Sequence, residues 1–309
     1  MKNNQLPIGI FDSGVGGLTV ARAVRDLLPG ESISYLGDSA RAPYGSRAIS
    51  EVREFSLEML DVLVARGVKM LVIACNTSSA AVLRDAYERY NVPIVEVILP
   101  TVRAALAITK TGRIGLLATR ATVKSNIYRD FCEIDRGARI FAEPAPKFVE
   151  LVEAGITAGS EVAHYAQKYC APLLEADVDT VILGCTHYPF LRGALKRVVG
   201  DAVNLVSSDI ETANEVYRVL SEAELLRAPG ELGAVRATVL ADVPGPAGVS
   251  SPASALSKLG ETELPSALAT AGAQPDPPVF ECFTTGHNVA DFKRLAQQML
   301  GLQVTVTSI

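Results

Sequence analysis

No stretch of the 309-residue chain approaches the roughly 18 to 20 consecutive apolar residues that cross a bilayer. Hydrophobic residues make up 49% of it but come in short runs. Nor is there an excess of positive charge. The 29 basic and 34 acidic residues leave a net charge of -5, which argues against a protein whose main work is gripping a phosphate backbone. Met1 to Pro7 lack the basic and apolar regions of a signal peptide, so a cytoplasmic protein is expected. Cys75, Cys132, Cys170, Cys185 and Cys282 include no C-x-x-C pair, and His164, His187 and His287 show no ligand spacing with them. Neither a disulfide framework nor a zinc site is therefore expected, and a reducing compartment keeps the thiols free. What is left to decide is which thiols react.

At about 150 residues per domain the length implies two domains. Apolar runs of five or six residues alternate with longer segments of helical period, the pattern of strands and crossover helices in an α/β protein with mostly parallel sheets. Strands are expected near 7–11, 32–37, 69–74, 94–98, 113–118, 138–142, 179–184 and 202–206.

Two halves of the chain echo each other. Ile8-Gly9-Ile10-Phe11-Asp12-Ser13 parallels Ile114-Gly115-Leu116-Leu117-Ala118-Thr119, and Val72-Ile73-Ala74-Cys75-Asn76-Thr77 parallels Ile182-Leu183-Gly184-Cys185-Thr186-His187. The near-common offset points to two similar, pseudo-symmetric α/β domains. Residues 1–98 plus 209–309 are expected to form the first and 99–208 the second, the chain crossing near Leu99-Pro100 and returning near Ser207-Ser208-Asp209. From Ala241 to Pro278 seven prolines fall in 38 positions, the composition of a surface insertion. A strand over 279–284, a helix over 288–300 and a last strand over 303–307 are expected to resume the first domain.

Open α/β sheets bind ligands at the carboxyl ends of their strands, so the four echoing strand ends are candidates for one site in a cleft between the domains. Cys75 and Cys185 each end such a strand and are expected to precede a helix, the second one started by Pro189. A helix N-terminus favours thiolate and lowers a cysteine pKa, and its N–H groups, with the hydroxyls of Thr77 and Thr186, suit a carboxylate. A single such cysteine would read as a small buried hydrophobe; the matched pair does not. Cys132, Cys170 and Cys282 lack the polar surroundings and read as packing residues. Two cysteines on opposite faces of one carbon suit removal of a proton by one and delivery by the other. Asp12 and His187 are titratable groups at two of the same strand ends, although a helix cap and a structural histidine are the plainer readings of each.

Other features carry less. Asp12-Ser13-Gly14-Val15-Gly16-Gly17-Leu18-Thr19 falls short of a dinucleotide fingerprint: its third glycine is missing and Asp12 stands where a pyrophosphate would lie. Pro43-Tyr44-Gly45 is a turn whose amides can meet a ligand. Glu150 and Glu153 share a helix face, which is ordinary surface unless a cleft is there.

Five motifs in order, Gly9-Ile10-Phe11-Asp12-Ser13-Gly14-Val15-Gly16-Gly17, Tyr35-Leu36-Gly37-Asp38, Ala42-Pro43-Tyr44-Gly45, Ala74-Cys75-Asn76-Thr77 and Gly184-Cys185-Thr186-His187-Tyr188-Pro189, resemble the bacterial glutamate racemases. The resemblance runs from about residue 8 to 226 and resumes near 279. It implies two similar α/β domains with the site between them, and interconversion of L- and D-glutamate without pyridoxal phosphate or any other cofactor, supplying D-glutamate for peptidoglycan. It also implies a homodimer. By the family pattern Cys75 takes the proton from the D-enantiomer, assisted by Asp12, and Cys185 from the L-enantiomer, assisted by His187. Substrate is then held by Asp12, Ser13, Tyr44, Gly45, Asn76, Thr77, Thr186 and His187, with Thr119 added from the internal repeat and Glu153 a loose match. Aspartate and hydantoin racemases are the close alternatives. His187 favours the glutamate branch, and the second cysteine argues against the related decarboxylases.

Overall fold

The computed structural model describes residues 4–136, 138–227, 236–241, 278–286, 289–301 and 305–308. His287 and the 242–277 part of the expected insertion lie outside them. No helix among the described residues is long and apolar enough to cross a membrane.

Two sheets, each parallel throughout, organise the chain. The first holds β1 (Ile8–Asp12), β2 (Ile33–Gly37), β3 (Met70–Ile73), β4 (Ile94–Glu96), β9 (Arg236–Ala241), β10 (Val279–Thr284) and β11 (Thr305–Ser308). The second holds β5 (Arg113–Ala118), β6 (Arg139–Pro144), β7 (Thr180–Gly184) and β8 (Asn204–Ser207). Their orders are β11-β9-β10-β2-β1-β3-β4 and β6-β5-β7-β8. The inner strands are apolar on both faces because helices cover both sides of a parallel sheet. Ile8, Ile10, Phe11, Val72, Leu116 and Ile182 are all sealed from solvent, each such side chain contributing roughly 1.5–3 kcal/mol.

The helices are α1 (Leu18–Leu27), α2 (Ile49–Ala65), α3 (Asn76–Arg89), α4 (Ile98–Ile108), α5 (Arg120–Ser125), α6 (Ile127–Arg136), α7 (Lys147–Glu153), α8 (Ser160–Glu175), α9 (Arg192–Val199), α10 (Ser208–Glu222) and α11 (Val289–Leu300). The first sheet's β2-β1-β3-β4 and the second's β6-β5-β7-β8 share one strand order. The echo extends to register: Phe11 pairs with Ile73 in one sheet, and its counterpart Leu117 pairs with Leu183 in the other. Both cysteine-bearing strands thus lie beside the strand that begins their half.

Three local expectations change. The strand expected over 94–98 stops at Glu96, whose carboxylate accepts from the backbone N–H groups of Ile98 (2.5 Å) and Leu99 (2.8 Å). That capping turns the chain into α4, and Pro100 sits in its first turn, where a missing N–H costs nothing. The segment Tyr188–Leu191, with Pro189, forms a single 3-10 turn, and α9 begins only at Arg192. Cys185 therefore ends a strand without capping a helix. Strand β9, just before the proline-rich segment, has no counterpart in the sequence reading; it pairs along the whole of β10.

Candidate active site

Strand ends from both sheets meet in one polar seam. Cys75 is the N-cap of α3, its sulfur accepting from Ser78 N–H at 3.4 Å and lying 3.6 Å from Ser13 Oγ. Cys185 Sγ lies 3.8 Å from His187 Nδ1. Both cysteines are 6% exposed. Asp12 is fully buried; its Oδ2 accepts from Gly14 N–H at 3.0 Å, while Oδ1 has no hydrogen-bond partner among the described residues.

The seam is tight enough to specify glycine. A Cβ on Gly16 would lie 2.6 Å from His187 Cε1 and strike the Thr186 hydroxyl, and one on Gly45 would lie 2.7 Å from Thr119 Cβ. Both contacts pass between the first sheet's loops and the second's strand ends. Thr19 Oγ1 reinforces the first by donating to Thr186 O at 3.3 Å. A second crossing is a cluster of hydroxyls: Thr77 Oγ1 is 3.1 Å from Thr119 Oγ1 and 3.2 Å from Thr122 Oγ1, and Thr119 caps α5. Asn76 also crosses, its Oδ1 accepting from the Tyr128 hydroxyl of α6 at 2.6 Å.

Burial changes the electrostatics read from sequence. The helix N-terminus was expected to lower the Cys75 pKa; instead burial, aided by the Asp12 charge, pushes it up to about 11, and the bonds from Ser78 and Ser13 only partly offset this. Desolvation of an anion outweighs a helix-end dipole when the sulfur has no cation nearby. Burial also raises the Asp12 carboxyl, with the His187 charge opposing it. His187 behaves oppositely: burial pulls it down, yet Cys185 and Glu153 outweigh burial and push it up to about 10. Its Nε2 is 3.3 Å from Glu153 Oε1 but out of line for a hydrogen bond. The short distance still places a carboxylate against the imidazolium.

Tyr44 and Gly45 occupy a 3-10 turn packed over Phe11, the rings 6.4 Å apart. The Tyr44 hydroxyl donates to Asp38, which also accepts from Arg41 Nε (2.6 Å) and Thr285 Oγ1 (2.5 Å). Tyr44 is thereby bound to a neighbouring carboxylate. The three remaining cysteines are buried in apolar packing, which raises each thiol pKa. Two surface cavities of about 400 and 310 Å³ lie along α8–α9 and α1–α10, and neither is lined by Cys75 or Cys185. The two thiols that end the echoing strands, with Asp12 and His187, lie instead at the seam, each of the four residues buried.

The Asp/Glu/Hydantoin racemase family matches residues 18–216. The chain belongs to that family. It is 61% identical over 214 residues to the glutamate racemase of Leifsonia xyli subsp. xyli, covering 69% of this chain and 79% of that one. Its structure resembles that of glutamate racemase isoform RacE1 from Bacillus anthracis (TM-score 0.80, 34% identity, 100% and 98% of the two chains). It also resembles glutamate racemase from Thermus thermophilus in complex with beta-chloro-D-alanine (TM-score 0.75, 34% identity, 100% and 98%).

Within this racemase fold all eight residues singled out from sequence for binding border the seam or its immediate support. Sequence reasoning missed Thr122 and Tyr128. Thr122 had a signal, since a Thr three residues beyond the Thr119 cap faces the same way along a helix start. Tyr128 had none, because its partner is 52 residues away.

Proposed function

We propose that the protein is a cofactor-independent glutamate racemase that works with two cysteines and supplies D-glutamate for peptidoglycan. Cys75 and Cys185 stand on the two sides of the substrate Cα. For the L-enantiomer, Cys185 as thiolate takes the Cα proton, and the electron pair left on carbon delocalises into the α-carboxylate. The Cys75 thiol then gives its proton to the opposite face, leaving D-glutamate, a Cys185 thiol and a Cys75 thiolate. The D-enantiomer runs the same steps backward. Each transfer is a general acid or base step of the kind contributing ~10²–10⁴-fold.

Asp12 assists Cys75 and His187 assists Cys185, and Glu153 holds the imidazole in its charged form. Ser13, Tyr44, Gly45, Asn76, Thr77 and Thr186 bind substrate with Asp12 and His187. The buried Nδ2 of Asn76, without a partner among the described residues, is a donor suited to a carboxylate. We take residues 1–98 with 209–309, and 99–208, as the two domains that open to admit substrate. Cytoplasmic placement follows from chemistry that needs reduced thiols, and a homodimer from family resemblance alone.

What carries the reading is the placement of two reduced cysteines at register-matched strand ends within a chain so similar to glutamate racemases. The test is racemisation of L-glutamate followed by circular dichroism, with no metal or pyridoxal phosphate added, beside Cys75→Ser and Cys185→Ser. The parent should racemise glutamate and both variants should lose about 10³-fold or more. A parent that inverts aspartate but leaves glutamate untouched sinks the substrate assignment, and parental turnover in either variant sinks the two-thiol assignment.

A further inference from the structure

Tyr128 is sealed from solvent (1% exposed), and its hydroxyl makes one hydrogen bond among the described residues, to Asn76 Oδ1 at 2.6 Å. Tyr128 belongs to α6 beside the second sheet; Asn76 opens α3 at the end of β3 in the first. The bond therefore spans the seam. At its other end the Asn76 amide presents Nδ2, buried and without a hydrogen-bond partner among the described residues.

A side-chain amide is nearly symmetric in shape, so a half-turn exchanges its oxygen and its NH2 at little steric cost. Nothing on Asn76 itself decides which end faces the seam. The Tyr128 hydroxyl does decide. Burial, with Glu96, Cys132 and Cys185 nearby, raises its pKa well above the usual phenol range, so it keeps its proton. If the amide flipped, the phenol oxygen would accept from NH2 while its own proton was left buried without an acceptor, which costs free energy. Holding the oxygen toward Tyr128 leaves the NH2 as the end of the amide still free to donate.

We propose that Tyr128 is a positioning residue that fixes the Asn76 amide with its NH2 toward the bound substrate carboxylate, and does so only when the two lobes are closed. This rests on the reading of Asn76 as a substrate-binding residue of a glutamate racemase. Tyr128 does not touch substrate itself. Its hydroxyl converts an amide that would otherwise present a donor or an acceptor into one that presents only a donor, so lobe closure and carboxylate binding become one event.

The experiment is a double-mutant cycle of Tyr128→Phe and Asn76→Ala, read as KM and kcat for glutamate in both directions, with thermal melts of all four proteins. Tyr128→Phe should raise KM about tenfold, the loss of one well-aligned bond to a charged group, and leave kcat within about twofold. In the Asn76→Ala background it should change KM no further. A Tyr128→Phe enzyme with parental KM, or one whose KM effect multiplies with that of Asn76→Ala, overturns the proposal; the second pattern is what a merely structural tyrosine would give. If Tyr128→Phe does not fold, Asn76→Asp decides. With Tyr128 holding one oxygen, the other must face the substrate carboxylate, so KM should exceed that of Asn76→Ala; a KM no higher overturns the proposal. A parent that does not racemise glutamate removes the functional reading and this inference together, whereas an active parent with an indifferent Tyr128→Phe removes this inference alone.

Discussion

Cys75 and Cys185 end strands that pair with their neighbours in matching register, yet the groups beside the two sulfurs differ in kind. Next to Cys75 stand a hydroxyl, a backbone N–H and the buried Asp12 carboxyl, with no cation. Next to Cys185 stands His187, backed by Glu153. A duplicated backbone plan has thus been furnished asymmetrically. Burial raises the Cys75 thiol with no cation to oppose it, whereas the Cys185 side carries an imidazole held in its charged form. The lesson is that strand pairing places two equivalent sulfurs, while the side chains two residues away and across the seam decide which proton inventory each can hold.

Removing the asymmetry should have the largest effect. His187→Gln keeps polarity and size but deletes the cation, and kcat should fall about 10²- to 10³-fold. Ser13→Ala, which removes a long hydroxyl contact to Cys75 and one proposed neutral substrate contact but no charge, should cost only about tenfold. Steady-state kinetics of the two variants side by side checks this, and equal losses would erase the distinction drawn between the halves.

A smaller effect is expected from the seam itself. Gly16→Ala puts a methyl against His187 and Thr186, so the loop after β1 must retreat from the second sheet. Overpacking of this kind costs about 1–3 kcal/mol. The melting temperature should drop and KM should rise about tenfold; an alanine variant with parental values would mean the closed seam is not the working state.

The smallest effect is on the pH dependence of stability. The His187 pKa is raised from 6.5 to about 10 on folding. The folded protein thus holds this proton more tightly than the unfolded chain does. The stabilisation is complete below pH 6.5 and is lost as pH rises toward about 10. Thermal melts across that window should fall more steeply for the parent than for His187→Gln. Parallel curves would show that the imidazolium contributes nothing to the fold.

Much of this frame was legible in the sequence, for reasons that particular residues make plain. The strands β1, β3, β5 and β7 are uninterrupted apolar runs ending in small polar residues, and that pattern has few alternatives in a parallel sheet. Their repetition marked both cysteines and, through the second copy, Thr119. What escaped depended on contacts distant along the chain or on competition between effects of similar size. Glu153 shares its α7 surface with Glu150, and only the fold turns one toward His187 while the other pairs with Lys147 at 2.8 Å. Glu96 lies in an apolar run that continues to Ile98, and nothing in that run shows its carboxylate folding back to cap α4. The direction of the Cys75 shift required weighing desolvation against a helix end, and sequence shows the helix end but not the depth of burial.

The near-complete enclosure of the two sulfurs gives the enzyme a memory. On the two-thiol mechanism proposed above, each inversion would leave the two thiols in the opposite state from the one in which it began, and with Cys75 and Cys185 each only 6% exposed water has little access to reset them. On that mechanism the free protein would have two forms, one ready for each enantiomer, and would pass between them only by exchanging protons with solvent.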